Sequence, residues 1–116
     1  MNPERHQPGD FSVVIGAEDE CAVLELHGEL DAATAPGLAD YLDAVITQHS
    51  GGAVLDLADL DFMDSTGLRV LLDAHARLRA AGRGLVLRSP PPLVRKTLAV
   101  SGVSNVIAVE GLPAQG

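Results

Sequence analysis

The chain reads as a single α/β domain built on a mixed sheet of four to five strands, with parallel middle strands and about three helices. Three observations predict it. A hairpin with in–out alternation comes first, short apolar runs then alternate with stretches of helical periodicity, and glycine or proline marks nearly every junction. The resulting order, β-β-α-β-α-β-α-β, implies right-handed crossovers between parallel strands after an antiparallel opening pair. At 116 residues the chain is long enough to bury about 65% of its unfolded surface around one core, without metal or disulfide support.

Phe11 to Gly16 and Cys21 to Leu30 are expected as the opening strands, joined through an acidic turn, Ala17 to Glu20. In the second strand Leu24, Leu26 and Leu30 alternate with Glu25, His27 and Glu29, so one face is apolar and the other polar. Thr34 offers a side-chain oxygen as a helix cap, with Pro36 in the first turn. Leu38, Tyr41, Leu42, Val45 and Ile46 then recur at helical spacing, while Asp40, Asp43 and Thr47 point away, until Gly51 and Gly52 end the unit.

Ala53 to Leu57 has the apolar character of a central parallel strand. A loop from Ala58 to Ser65 leads to a helix over about Thr66 to Ala81. Arg69, Asp73 and Arg77 fall at spacings of four, which lets Asp73 pair with both arginines. Leu68, Leu71, Leu72, Ala74 and Leu78 form the broader apolar side, and Gly82 to Gly84 stops the helix. Leu85 to Arg88 is the next strand, Pro90 to Pro92 open a helix to about Ser101, Gly102 terminates it, and Val106 to Val109 is the last strand. Residues 1–10 are expected as a flexible N-terminal segment, 11–109 as the domain and 110–116 as a flexible tail.

Composition excludes several classes. Apolar residues make up 47% and aromatic residues 3%, so the core is aliphatic and the chain is globular. No apolar run reaches the roughly 18–20 residues of a membrane helix, and Met1 to Asp10 lacks the apolar stretch of a signal peptide. Cys21 is alone, which excludes an internal disulfide and a cysteine metal cluster. A cytoplasmic location follows as the expectation. The formal charge of −8 speaks against nucleic acid as a partner and for a protein with a basic patch.

The most informative segment is D-F-M-D-S-T-G-L-R, Asp61 to Arg69. It places a serine at the mouth of a helix, after an acidic loop. Asp64 or Ser65 would cap the free N–H groups there, and the helix dipole favours negative charge at that end. Gly67 would let another backbone approach the first turn. From these residues alone two readings stand: Ser65 is an N-cap, or its exposed hydroxyl accepts a phosphate.

The stretch V-L-D-L-A-D-L-D-F-M-D-S-T-G-L-R-V-L-L, Val54 to Leu72, resembles the central signature of STAS domains in bacterial anti-sigma factor antagonists (anti-anti-sigma factors). L-H-G-E-L-D, Leu26 to Asp31, resembles that family's second-strand exit. The resemblance extends from about Phe11 to Val109 and makes 11–109 a STAS domain. It implies partner switching in the regulation of transcription. The unmodified protein would bind an anti-sigma factor of the serine-kinase type, releasing a sigma factor. Phosphorylation of the serine matching Ser65 would end the binding, and a serine phosphatase would reset it. The resemblance also implies a partner contact at Asp31, Asp61, Met63, Asp64, Ser65, Thr66, Gly67 and Arg69, with the free protein a monomer or weak dimer. Thr66 stands where many relatives have serine, which makes it the alternative acceptor. The chain stops soon after Val109, so the closing helix of many relatives is expected to be short or missing.

Other residues have plainer explanations. His6, His27, His49 and His75 show no metal-ligand spacing, and His75 falls on an apolar helix side as a packed residue. Asp56, inside an apolar strand, needs a partner and is expected to bond to backbone. Asp59, Asp61 and Asp64 read as a solvated acidic loop, not a magnesium site. No phosphate loop is present, and Ser65 lacks the G-x-S-x-G elbow of a hydrolase. Neither an enzyme nor a cofactor is expected. The rival reading is a non-switching STAS scaffold subunit of a stress-sensing or transport complex.

Overall fold

The computed structural model describes residues 11–111. β1 (Phe11–Glu18) and β2 (Cys21–Leu30) form the hairpin; α1 (Ala35–Gln48), β3 (Ala53–Met63), α2 (Ser65–Ala80), β4 (Leu85–Arg88), α3 (Pro92–Val100) and β5 (Ala108–Glu110) follow, with a 3-10 turn at Val103–Asn105 before β5. The five strands lie in the order β1-β2-β3-β4-β5. β1 and β2 are antiparallel; β2–β3, β3–β4 and β4–β5 are parallel. This is the α/β sheet that the hairpin and the strand–helix alternation predict. The segments expected at 1–10 and beyond residue 111 lie outside the described residues.

Alternation assigns the faces. Ala22, Leu24 and Leu26 of β2, Leu55 and Leu57 of β3, and Leu85 and Leu87 of β4 join one aliphatic cluster with Leu38, Leu42 and Val45 of α1, Leu71, Ala74 and Leu78 of α2, and Val94 and Leu98 of α3. The strand residues between them, Val23 and Val54, are buried but stand outside that cluster. The helices therefore pack on one face of the sheet. Burying each leucine of such a cluster contributes roughly 1.5–3 kcal/mol.

Several expected boundaries move. β1 continues to Glu18, so the turn is only Asp19 and Glu20, with Asp19 at φ 56°. The central strand does not stop at Leu57 but runs to Met63. It can do so because β2, ten residues to its eleven, is nearly as long and two register shifts keep them paired, His27 opposite Asp59 and Leu30 opposite Met63. One shift falls at Gly28, whose φ of 103° suits a bulge that only glycine adopts easily. Asp56 sits at the other irregularity, where its Oδ1 accepts the Ala58 N–H at 3.0 Å, the expected backbone bond. α3 starts at Pro92 and ends at Val100, and the last strand is displaced to Ala108–Glu110 because the 3-10 turn takes up Val103–Asn105.

Two surface expectations also change. Asp73 pairs with neither Arg69 nor Arg77 among the described residues; Arg77 reaches across to Asp43 of α1 at 2.8 Å, since the α1–α2 packing brings that carboxylate closer. Tyr41 and Leu72, on the apolar sides by periodicity, are 44% and 38% exposed because each lies at the margin of its helix's buried stripe. His75 is half-buried, its Nδ1 without a hydrogen-bond partner among the described residues. On the exposed sheet face, Arg88 grips Glu18 through two nitrogens at 3.0 and 3.2 Å, and this bond holds the Glu18 carboxyl below the usual carboxylate range.

Candidate functional site

Because β2 and β3 are parallel and end in register at Leu30 and Met63, the residues that follow them, Asp31 and Asp64, emerge side by side at one end of the sheet. The Asp64 N–H donates to the Leu30 carbonyl at 3.1 Å, tying the two exits together. The carboxyl ends of parallel strands are where open α/β sheets place their sites.

Both aspartates do the same local work. Asp64 Oδ1 accepts the N–H groups of Thr66 at 2.9 Å and Gly67 at 3.3 Å, capping α2. Asp31 Oδ1 accepts from Ala33 N–H at 3.0 Å and Thr34 N–H at 3.2 Å at the entry of α1. Thr34 was expected to cap α1, yet its hydroxyl donates to the Glu29 carbonyl at 2.7 Å and accepts the Asp31 N–H at 2.9 Å. With αR backbone angles at Thr34 the side chain is not aimed at the α1 amides, and it staples the turn. Each carboxylate also meets the positive end of a helix.

Ser65 is the first residue of α2 and is exposed. The choice left open between Asp64 and Ser65 as cap is decided for Asp64. Asp64→Ala should therefore destabilise the fold by about 1 kcal/mol, while Ser65→Ala should stay within about 0.5 kcal/mol of the parent protein. Urea titration checks both, and a larger loss at Ser65 would restore its capping role.

The remaining candidates divide by exposure. Asp61 and Arg69 are exposed, and Asp31, Asp64 and Thr66 are half-buried. Met63, at the end of β3, and Gly67, in the first turn of α2, are buried. Gly67 was expected to admit an approaching backbone. Its space is taken instead by Leu30: a Cβ there would lie 2.7 Å from Leu30 Cγ and Cδ2 and 3.1 Å from Met63 Cγ. The small residue is required by packing inside this molecule. Asp59, Asp61 and Asp64 do not form a metal-holding cluster of three or more ligating side chains among the described residues.

Sequence reasoning missed Phe62. It sits opposite Glu29, between Asp61 and Met63, and is 40% exposed. An exposed aromatic in a chain with 3% aromatics was a signal available in the sequence. Its outward position depended on β3 reaching Met63, which the expected loop concealed. Aromatic side chains, phenylalanine among them, are enriched at protein interfaces. The end of β3 and the first turns of α2 thus expose a hydroxyl, an acidic side chain, one guanidinium and one aromatic ring. Among the described residues no helix is long and apolar enough to cross a membrane.

Comparison with known proteins adds independent findings. A family model described as "Mlab, STAS domain" matches residues 13–110. The anti-sigma-B factor antagonist of Listeria monocytogenes serovar 1/2a is 34% identical over 87 residues, which cover 73% of this chain and 75% of that protein. The crystal structure of an anti-sigma factor antagonist from Mycobacterium paratuberculosis superposes with a TM-score of 0.78 at 26% identity, covering 93% of this chain and 90% of that one. SpoIIAA is similar in both solved forms. The unphosphorylated anti-sigma factor antagonist gives a TM-score of 0.70 at 27% identity over 87% of this chain and 88% of that one. The phosphorylated Bacillus cell fate determinant gives 0.64 at 26% identity over 87% and 91%.

Proposed function

This chain belongs to the STAS-domain family of anti-sigma factor antagonists, and from that premise we propose that it works by partner switching, with Ser65 as the residue that is modified. The unmodified protein binds an anti-sigma factor of the serine-kinase type in the cytoplasm and so frees a sigma factor. Phosphate on Ser65 ends the complex, and a serine phosphatase restores it. The protein acts by binding, without turnover of its own.

One observation carries the reading. The helix entrance is already capped by Asp64, so the exposed Ser65 hydroxyl has no structural duty there. It remains accessible to a kinase. In this reading the partner meets exposed Asp61, Phe62 and Arg69 together with Ser65, half-buried Asp31 and Thr66 contribute less, and buried Met63 and Gly67 act as support. The similarity to SpoIIAA, solved with and without phosphate, supports a protein that persists in both states.

Thr66 is the weaker acceptor. It is half-buried, and its N–H is held by Asp64. Incubation with the cognate kinase and ATP, followed by phosphopeptide mapping, is expected to put most of the label on Ser65. A label mainly on Thr66, or on neither, overturns the assignment. Retention of the kinase by both modified and unmodified protein would favour the non-switching scaffold.

A further inference from the structure

The phosphate proposed at Ser65 raises a question of where its charge goes. A helix N-terminus ordinarily receives an anion on its free N–H groups. Here the Thr66 and Gly67 N–H groups are already donated to Asp64 Oδ1, at 2.9 and 3.3 Å. The nearest charged groups on either side in sequence are mostly hostile: Asp61 and Asp64 before Ser65, Asp73 after it.

Arg69 is the exception. It lies four residues after Ser65 on α2, a spacing that puts two side chains on one helix face, and helical side chains lean back toward the N-terminus. Arg69 is exposed and makes no hydrogen bond or ion pair among the described residues. Among the other described arginines, Arg77 is committed to Asp43, Arg83 to the Ile46 and Gly51 carbonyls, and Arg88 to Glu18, while Arg79 stands at the far end of α2 and Arg95 on α3.

We propose that Arg69 is the intramolecular receiver of the Ser65 phosphate, its guanidinium pairing with the phosphoryl oxygens across one helical turn. A guanidinium suits this because its planar fork meets two phosphate oxygens at once. Modification then does two things to the partner surface: it adds negative charge and withdraws the cation that the unmodified protein presents. The same pair balances the phosphate against Asp61 and Asp64, so the first turn of α2 stays folded.

This inference rests on Ser65 being the modified residue, and its test is made independent of any kinase by inserting phosphoserine at position 65 during translation. Phosphorus NMR then follows the second ionisation of that phosphate in the full chain as pH is varied. In Arg69→Gln the phosphate pKa is expected to rise by about 0.2–0.4 unit relative to the chain with Arg69, given the size of one-turn ion pairs and the single charge that the second ionisation adds. Arg69→Lys should recover part of that shift, as a point charge without the fork. Equal phosphate pKa values in the Arg69 and Arg69→Gln chains would overturn the pairing. A kinase that labels some other residue would overturn the switch at Ser65 while leaving this titration unaffected.

Discussion

Phosphoserine at position 65 is expected to lower the affinity for the anti-sigma factor by about a hundredfold or more, with the fold unchanged. Phosphorylation adds about 1.5–2 negative charges at pH 7. Asp61 is exposed and Asp64 half-buried beside the site, and Asp64 already takes the Thr66 and Gly67 amides. The added charge is consequently not absorbed by the helix entrance and confronts the partner. Like-charge juxtaposition at an interface costs several kcal/mol, and each 1.4 kcal/mol is tenfold in affinity, so about 3 kcal/mol gives the stated factor. Ser65→Ala should bind as the unmodified protein does and escape inactivation by the kinase. Ser65→Asp should fall between, since it carries one negative charge and no phosphoryl oxygens. Calorimetric titration of the four forms measures this, and amide NMR spectra of the free proteins report the fold. Equal affinity for phosphorylated and unmodified protein would reduce Ser65 to an ordinary surface serine and favour the scaffold.

Gly67→Val is expected to be the most damaging single substitution at the site, through packing and not through contact with a partner. A Cβ at this position falls 2.7 Å from two atoms of Leu30, which is itself fully buried and backed by the cluster of Leu26, Leu38 and Leu60. Leu30 cannot swing aside as an exposed side chain would. Overpacking typically costs about 1–3 kcal/mol, and the two methyl groups of valine push toward the top of that range. Replacing glycine within a helix returns at most about 1 kcal/mol of propensity, so the clash wins. In a domain of this size the melting temperature should drop by roughly 10 °C, followed by circular dichroism. Because the movement of Leu30 would disturb the Leu30 carbonyl that holds the Asp64 N–H, partner affinity should weaken along with stability. A melting temperature within about 2 °C of the parent would mean that Leu30 yields, and that Gly67 is not the constraint described.

How much was legible beforehand depended on whether the physical signal was local. The in–out alternation of Leu24, Leu26 and Leu30 specified both bounds of β2, and four apolar-to-charged residues between glycine and proline specified β4. The serine at the helix mouth and the two candidates for its cap, Asp64 and Ser65, were likewise readable, because a cap binds amides two and three residues away in the same chain. What the chain could not state alone was anything set by a neighbour distant in sequence. β3 reaches Met63 only because β2 supplies a paired strand, with two register shifts that each accommodate an extra β3 residue; by local composition Ala58 to Ser65 is a polar loop. That extension turns Phe62 outward, and no local pattern reveals it. Gly67 is small because Leu30, thirty-seven positions away, occupies its place, and Arg77 passes over Asp73 for Asp43 because two helices pack. Short-range hydrogen bonds and hydrophobic periodicity are properties of consecutive residues and so are written in the sequence. Register, exposure at the margins of a face, and the choice between competing partners arise only when separate segments meet, and those belong to the tertiary structure.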